Sequence, residues 1–257
     1  MGTLARTIAE EKVNKGCLAV YWLSQAGFVF KTSAGKIAYV DPYFSDLVER
    51  LVGFKRMMAC PIAPDEVVAD LVACTHEHPD HLDTDALPIL AQSSRTHFAG
   101  PLECVKEFKK AGVPDERCHQ LEAGKEITFD GIEVKAVYAD HGEYAPDAVG
   151  IVFDFEGIKV YHTGDTAYRP EHFRPVVEMR PDILLPCING RYGNLTAEEA
   201  AMLARDISPR LAIASHFWMF VEHNGDPASF LESCAKLAPG VEAVVMKPGE
   251  RYLFQKS

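Results

Sequence analysis

Four side chains of metal-binding type fall within six positions of one stretch. They are His76, His78, Asp80 and His81, in Thr75-His76-Glu77-His78-Pro79-Asp80-His81-Leu82-Asp83. Imidazole nitrogen and carboxylate oxygen suit zinc and other first-row divalent ions. The single-residue gap between His76 and His78 excludes a shared helix face, where neighbours are three or four apart. In a loop leaving a strand end, the same gap lets both rings converge on one ion. Asp80 and His81, beyond the bend at Pro79, can then face a second ion beside it. A polar loop with incidental histidines is the bland alternative, and the density of ligand-type side chains disfavours it. Glu77 and Pro79 are expected to shape the loop rather than react.

An apolar run of buried-strand type, residues 70–74, leads into this loop and would position it. Three further candidates share that context. His141 ends an apolar strand and precedes a glycine, Asp165 follows His162-Thr163-Gly164 after another, and His216 terminates a third. The surrounding pattern starts with a helix over 3–14 and strands at 17–23, 27–32 and 36–40. Residues 45–60 read either as a helix or as a loop carrying Arg50, Lys55 and Arg56. Helices are expected at 82–91 and 101–111, with a strand at 96–99 between them. Asp130-Gly131 and Glu156-Gly157 predict hairpins over 127–137 and 149–163. Helices at 171–179, 197–206 and 227–236 then alternate with strands at 183–186, 211–215, 242–246 and 251–254. The second of these helices opens on a Thr196-x-x-Glu199 capping box.

With 257 residues, 47% of them apolar, and no linker or repeat, the chain is expected to be one domain spanning 1–257. A net charge of −11 argues against general binding of nucleic acid or anionic membranes. It leaves room for a small anionic substrate held by a few local cations. The opening residues lack a signal-peptide core, and no apolar run is long enough for a bilayer, so no membrane association is expected. Seven scattered cysteines, odd in number and without a Cys-x-x-Cys pair, read as reduced thiols and point to the cytoplasm. Self-association into a homo-oligomer is left open by composition.

The order His76-x-His78-x-Asp80-His81, then His141, Asp165 and His216, resembles the metallo-β-lactamase superfamily. More narrowly, the chain is similar to its L-ascorbate-6-phosphate lactonase-like branch of metal-dependent hydrolases. The likeness also rests on Gln25-Ala26-Gly27-Phe28, Val40-Asp41-Pro42-Tyr43, His162-Thr163-Gly164-Asp165-Thr166, the 188–194 stretch Ile-Asn-Gly-Arg-Tyr-Gly-Asn, and Ser215-His216-Phe217-Trp218. It implies an α/β fold, an αββα sandwich of two mixed β-sheets flanked by helices. It also implies two divalent ions, zinc or manganese, with iron also fitting the ligand types. His76, His78 and His141 would hold one ion, and Asp80, His81 and His216 the other, with Asp165 bridging.

Two such ions lower the pKa of a shared water and present a hydroxide to a carbonyl carbon or a phosphorus. The expected activity is hydrolysis of a small lactone or ester, such as a sugar-phosphate lactone. A phosphodiesterase or nuclease acting on phosphorus is the alternative, and a non-catalytic metal-binding protein a third. Besides Asp80, candidate catalytic residues are Arg191, for an anionic substrate group, and His223, as an acid on the substrate side. Arg50, Lys55 or Arg56 could assist Arg191. Tyr192 and Asn194 are weaker candidates for hydrogen bonding to substrate. Asp41 and His162 are candidate partners that orient histidine ligands, or else a turn residue and a core histidine.

Overall fold

The computed structural model of the protein describes residues 2–256. The chain forms two compact units. One runs to Leu121 and is completed by the segment from Lys247 onward; the other is Glu122–Met246. Each unit is built on a seven-stranded mixed sheet flanked by helices.

In the first unit, β1 (Cys17–Ser24), β2 (Gly27–Lys31) and β3 (Ile37–Val40) are continuous apolar runs, and every residue in them is buried. They pair antiparallel, as their short turns require. From β3 onward the pairing becomes parallel: β4 (Leu71–Ala73), β5 (His97–Gly100) and β6 (Cys118–Gln120). β14 (Arg251–Gln255) closes the other edge, antiparallel to β1. Four helices accompany this sheet: α1 (Thr3–Glu10), α2 (Leu47–Val52), α3 (Leu87–Leu90) and α4 (Leu102–Lys110). α4 sits so close to β5 that a Cβ on Gly100 would lie 2.6 Å from that of Cys104. Phe98 and Phe108 meet behind it with ring centroids 5.4 Å apart, both fully buried. Each such side chain contributes on the order of 2 kcal/mol by leaving water.

The second unit repeats the plan. β7 (Glu126–Phe129), β8 (Ile132–Tyr138), β9 (Val149–Phe155) and β10 (Ile158–His162) form antiparallel neighbours. β10, β11 (Ile183–Leu185), β12 (Leu211–Ile213) and β13 (Glu242–Val244) are parallel. α5 (Pro170–Met179), α6 (Ala197–Ile207) and α7 (Pro227–Leu237) supply the crossovers. The expected capping box is formed: the Thr196 hydroxyl accepts from Glu199 N, and Thr196 N donates to the Glu199 carboxylate.

Pairing directions decide where polar loops emerge. β1 and β3 are both antiparallel to β2, so they run the same way, and β4 is parallel to β3. Their C-terminal ends therefore share one sheet edge. By the same reasoning β8, β10, β11 and β12 end together on one edge of the second sheet. Ligands of α/β sheets gather at such carboxyl ends.

Several elements depart from expectation. The first helix stops at Glu10 rather than at residue 14. Only Leu87–Leu90 of the 82–91 segment is α-helical, because the buried Asp83 carboxylate captures the amides of Asp85 and Ala86. Residues 45–60 contain the short helix α2 and then irregular chain. β6 was not anticipated: Cys118-His119-Gln120 has neither alternation nor an apolar run. Among the described residues, no helix is long and apolar enough to cross a membrane.

β6 carries a pH-sensitive group. His119 Nε2 lies 3.0 Å from His97 Nδ1, and burial, followed by the charge of His97, pushes the His119 pKa down to about 4. An unfolded histidine titrates near 6.5, so between those values the unfolded chain binds the extra proton. The stability contributed by neutral His119 is full above about pH 6.5 and is lost as pH falls toward 4. Thermal midpoints measured from pH 7 to 4 should fall less steeply for His119→Gln than for the unaltered protein. Equal slopes would contradict this assignment.

Candidate metal centre

The ligand loop of the first unit follows β4 and is anchored by Asp41, the residue after β3. Asp41 is fully buried with a left-handed φ of 45°, and its amide donates to Ala73 O at 2.9 Å. Its side chain is thereby aimed across the end of β4. Thr75 N donates to Asp41 Oδ1 (2.7 Å), and the Thr75 hydroxyl donates to Oδ2 (2.6 Å). His81 Nδ1 lies 2.8 Å from Oδ2.

A carboxylate only accepts hydrogen bonds, so Nδ1 of His81 carries the proton and Nε2 presents its lone pair. The Thr75 hydroxyl, its proton given to Asp41, can accept from His76 Nδ1 at 3.0 Å. His76 is thereby held in the same tautomer as His81. His76 Nε2 faces His78 Nδ1 at 3.0 Å. Nitrogens this close could both be ligands of one divalent cation. Asp80 joins this group, with Oδ2 3.7 Å from His81 Nε2. Gln25, in the β1–β2 turn with φ 48°, donates from Nε2 to that same oxygen at 2.7 Å.

The second unit assembles its own set. His141 follows β8, Asp165 follows β10 and His216 follows β12, all buried. The loops are tied together: Asp140 N donates to the Thr166 hydroxyl, and Ala167 N to Asp140 O. Asp165 divides its oxygens, Oδ1 lying 3.2 Å from His216 Nε2 and Oδ2 3.8 Å from His141 Nε2. His216 adopts φ 58°, which turns its ring away from the strand direction. His223 stacks on it at 5.1 Å with planes 11° apart. His162 Nδ1 accepts from Gly164 N, shaping the loop that ends in Asp165. Arg191 and Tyr192 are exposed in the loop after β11, with Arg191 3.5 Å from Asn224 Oδ1.

Of the three basic residues expected to assist Arg191, Arg56 and Arg50 are engaged elsewhere. Arg56 donates to the carbonyls of Phe44, Ser45 and Met58 and lies over the Tyr43 ring. Arg50 pairs with Asp85. All seven cysteines are free thiols, and burial pushes Cys187 up to about 12 and Cys74 well above its ordinary value. Neither is a ready thiolate nucleophile at neutral pH.

Gln25, Thr75 and Asp83 were not read as site residues from sequence. Asp83 accepts from Phe44 N, Ser45 N and the Ser45 hydroxyl, which fastens the end of the ligand loop to the 43–45 segment. The available signals were Ser24-Gln25-Ala26-Gly27 as a tight turn and Thr75 beside the first histidine.

A Beta-lactamase superfamily domain matches residues 19–216. A UPF0173 metal-dependent hydrolase of Methanopyrus kandleri is 30% identical over 91% of this chain and 99% of its own. Another from Cupriavidus necator is 30% identical over 93% and 86%. Among solved structures, the metallo-hydrolase Igni18 of Ignicoccus hospitalis is similar with TM-score 0.74, 23% identity and coverage of 94% and 100%. An isothiocyanate hydrolase from Delia radicum gut bacteria shares the fold at TM-score 0.74, with 19% identity and coverage of 92% and 99%. With its histidines and aspartates gathered at strand ends in both units, the chain belongs to the β-lactamase superfamily and is one of its metal-dependent hydrolases.

Proposed function

We propose that the two ligand sets act together as one dinuclear centre in a single catalytic domain. His76, His78 and His141 would hold one divalent ion, and Asp80, His81 and His216 the other, with Asp165 between. The observation that carries this reading is the division of Asp165, one oxygen toward His141 and the other toward His216, as a bridging carboxylate requires. The matched family domain also spans both units. Nitrogen and oxygen donors without thiolate favour zinc or manganese, with iron third.

When bound, two divalent cations lower the pKa of water and polarise the oxygen of the group under attack. The protein's part is to fix donors and handle protons. Asp41 and Thr75 hold His81 and His76 in the tautomers that present Nε2. Gln25 restrains the Asp80 carboxylate by donating to its Oδ2, and that carboxylate would accept a proton from the attacking water. His223, stacked on His216, is positioned to protonate the leaving oxygen. Arg191, exposed at the rim, would bind an anionic substituent. The substrate is then a small lactone or ester, such as a sugar-phosphate lactone. Free, buried thiols support a reducing, cytoplasmic setting.

Metal-loaded protein should open neutral and phosphorylated sugar lactones faster than it hydrolyses bis-p-nitrophenyl phosphate or short RNA. The reverse order would replace this substrate class with phosphodiesters. Asp165→Ala should cut turnover by on the order of 10³-fold or more, with the circular dichroism spectrum unchanged. Retained turnover in that variant would remove the bridging role.

Asp41→Asn tests the orienting role separately. An amide offers His81 a donor as readily as an acceptor, so the Nε2 lone pair is no longer enforced. Chelator competition should show metal affinity reduced roughly 10–100-fold. Unchanged affinity would mean that Asp41 only ties β3 to β4.

A further inference from the structure

The loop after β11 and the starts of α6 and α7 border an open cavity of about 550 Å³ within the second unit. His223, the proton donor assigned above, forms part of its wall. Asn189 lines it as well, and that side chain has no assigned task. It is fully buried, and neither its Oδ1 nor its Nδ2 has a hydrogen-bond partner. A buried amide left in that condition is costly, and native proteins keep few of them.

The backbone holds Asn189 in place. It bridges to Thr196, and Gly190 N donates to Leu195 O at 2.9 Å. Gly225, at φ 95°, packs so closely that a Cβ there would lie 3.4 Å from Asn189 Cα and 2.6 Å from the Phe217 Cβ. The amide is therefore fixed with one donor group and one acceptor unspent.

Trp218 supplies a second feature of the same wall. It adopts a left-handed φ of 52° although it is a bulky residue, and it remains 53% exposed. Backbone strain of this kind clusters at ligand sites, and the indole offers an apolar face with a polar N–H there.

The charge of the lining narrows the ligand. No lysine or arginine contributes to it, and its one carboxylate, Asp226, already accepts from Ala228 N and the Ser229 hydroxyl. The remaining polar groups are neutral amides and hydroxyls, with His223. A phosphate or carboxylate finds no counter-ion here. A ring bearing hydroxyls, each both donor and acceptor, matches Asn189 and offers its C–H face to Trp218.

We propose that this cavity is a subsite for a neutral, hydroxyl-bearing ring such as a sugar, read by Asn189 and covered by Trp218. Calling that ring part of the substrate rests on the hydrolase reading above; its binding does not. Any phosphate on the substrate would then point out of this cavity, toward the rim.

Methyl β-D-glucopyranoside tests the binding alone, because it carries the hydroxyls but no ester or lactone to open. The chain has two tryptophans, and Trp22 is buried, so a change in emission on titration reports Trp218. The full-length, metal-loaded protein should show saturable binding of the glucoside. Cyclohexyl methyl ether, which lacks its hydroxyls, should bind at least roughly tenfold more weakly. Asn189→Leu should lose the glucoside by a similar factor in calorimetry while its thermal midpoint is unchanged or raised, because an unsatisfied amide has been removed. The inference is overturned by absence of saturation, by equal binding of the ring without hydroxyls, by unchanged binding in Asn189→Leu, or by a lowered midpoint in that variant. Lactone turnover without glucoside binding would defeat this subsite and leave the hydrolase reading standing.

Discussion

One buried carboxylate sets the geometry of the first ligand set. Asp41 accepts from the Thr75 amide, the Thr75 hydroxyl and His81 Nδ1, all without access to solvent. An isolated buried carboxylate would be strongly disfavoured, and donors surrounding it make the position tenable. Those donors belong to the loop that carries the ligands, so the group that must be satisfied is also the group that shapes the site. Through the Thr75 hydroxyl the influence reaches His76, whose Nδ1 lies 3.0 Å from it. Two histidines are thus oriented by one aspartate.

Strand direction extends the same logic to both units. Each sheet joins parallel strands to antiparallel ones, and each has several carboxyl ends along one edge. Strand interiors cannot supply ligands, because residues such as those of β1 to β5 are packed in apolar surroundings on both faces. The chain can turn polar only where pairing stops. Asp41, the 75–81 loop, His141, Asp165 and His216 all occupy such places. Two of them, Asp41 and His216, need left-handed backbone to aim their side chains, a strain tolerated where surrounding structure over-determines it.

How much of this was legible follows from how local each cause is. The strands around the 75–81 loop and the Asp-Gly and Glu-Gly hairpins are local patterns, and they read correctly. The segment 82–91 misled because its helical periodicity is local, whereas the amides at its start are held by Asp83, itself pinned to residues 44 and 45. Arg56 looked available for a substrate because nothing in its neighbourhood shows that four backbone carbonyls surround it. Gln25 was even less visible, since its contact with Asp80 spans fifty-five positions. The empty hydrogen-bonding capacity of Asn189 is a property of folded surroundings and has no counterpart in the order of residues.

The ligands and the residues around them differ in their freedom to vary. His76, His81, His141, Asp165 and His216 are all at most 5% exposed, and each lies at or near a strand end that many core contacts support. Arg191, Tyr192 and Trp218 stand exposed in loops, where replacement disturbs little else. A scaffold of this kind can retain its metal chemistry while the loops change what is presented to it. For that reason membership of the superfamily leaves substrate preference to be argued from the walls of a particular cavity. Here those walls carry one carboxylate and no lysine or arginine in a protein whose net charge is −11, so on the reading proposed above selection of substrate would depend more on hydrogen-bond matching than on long-range attraction.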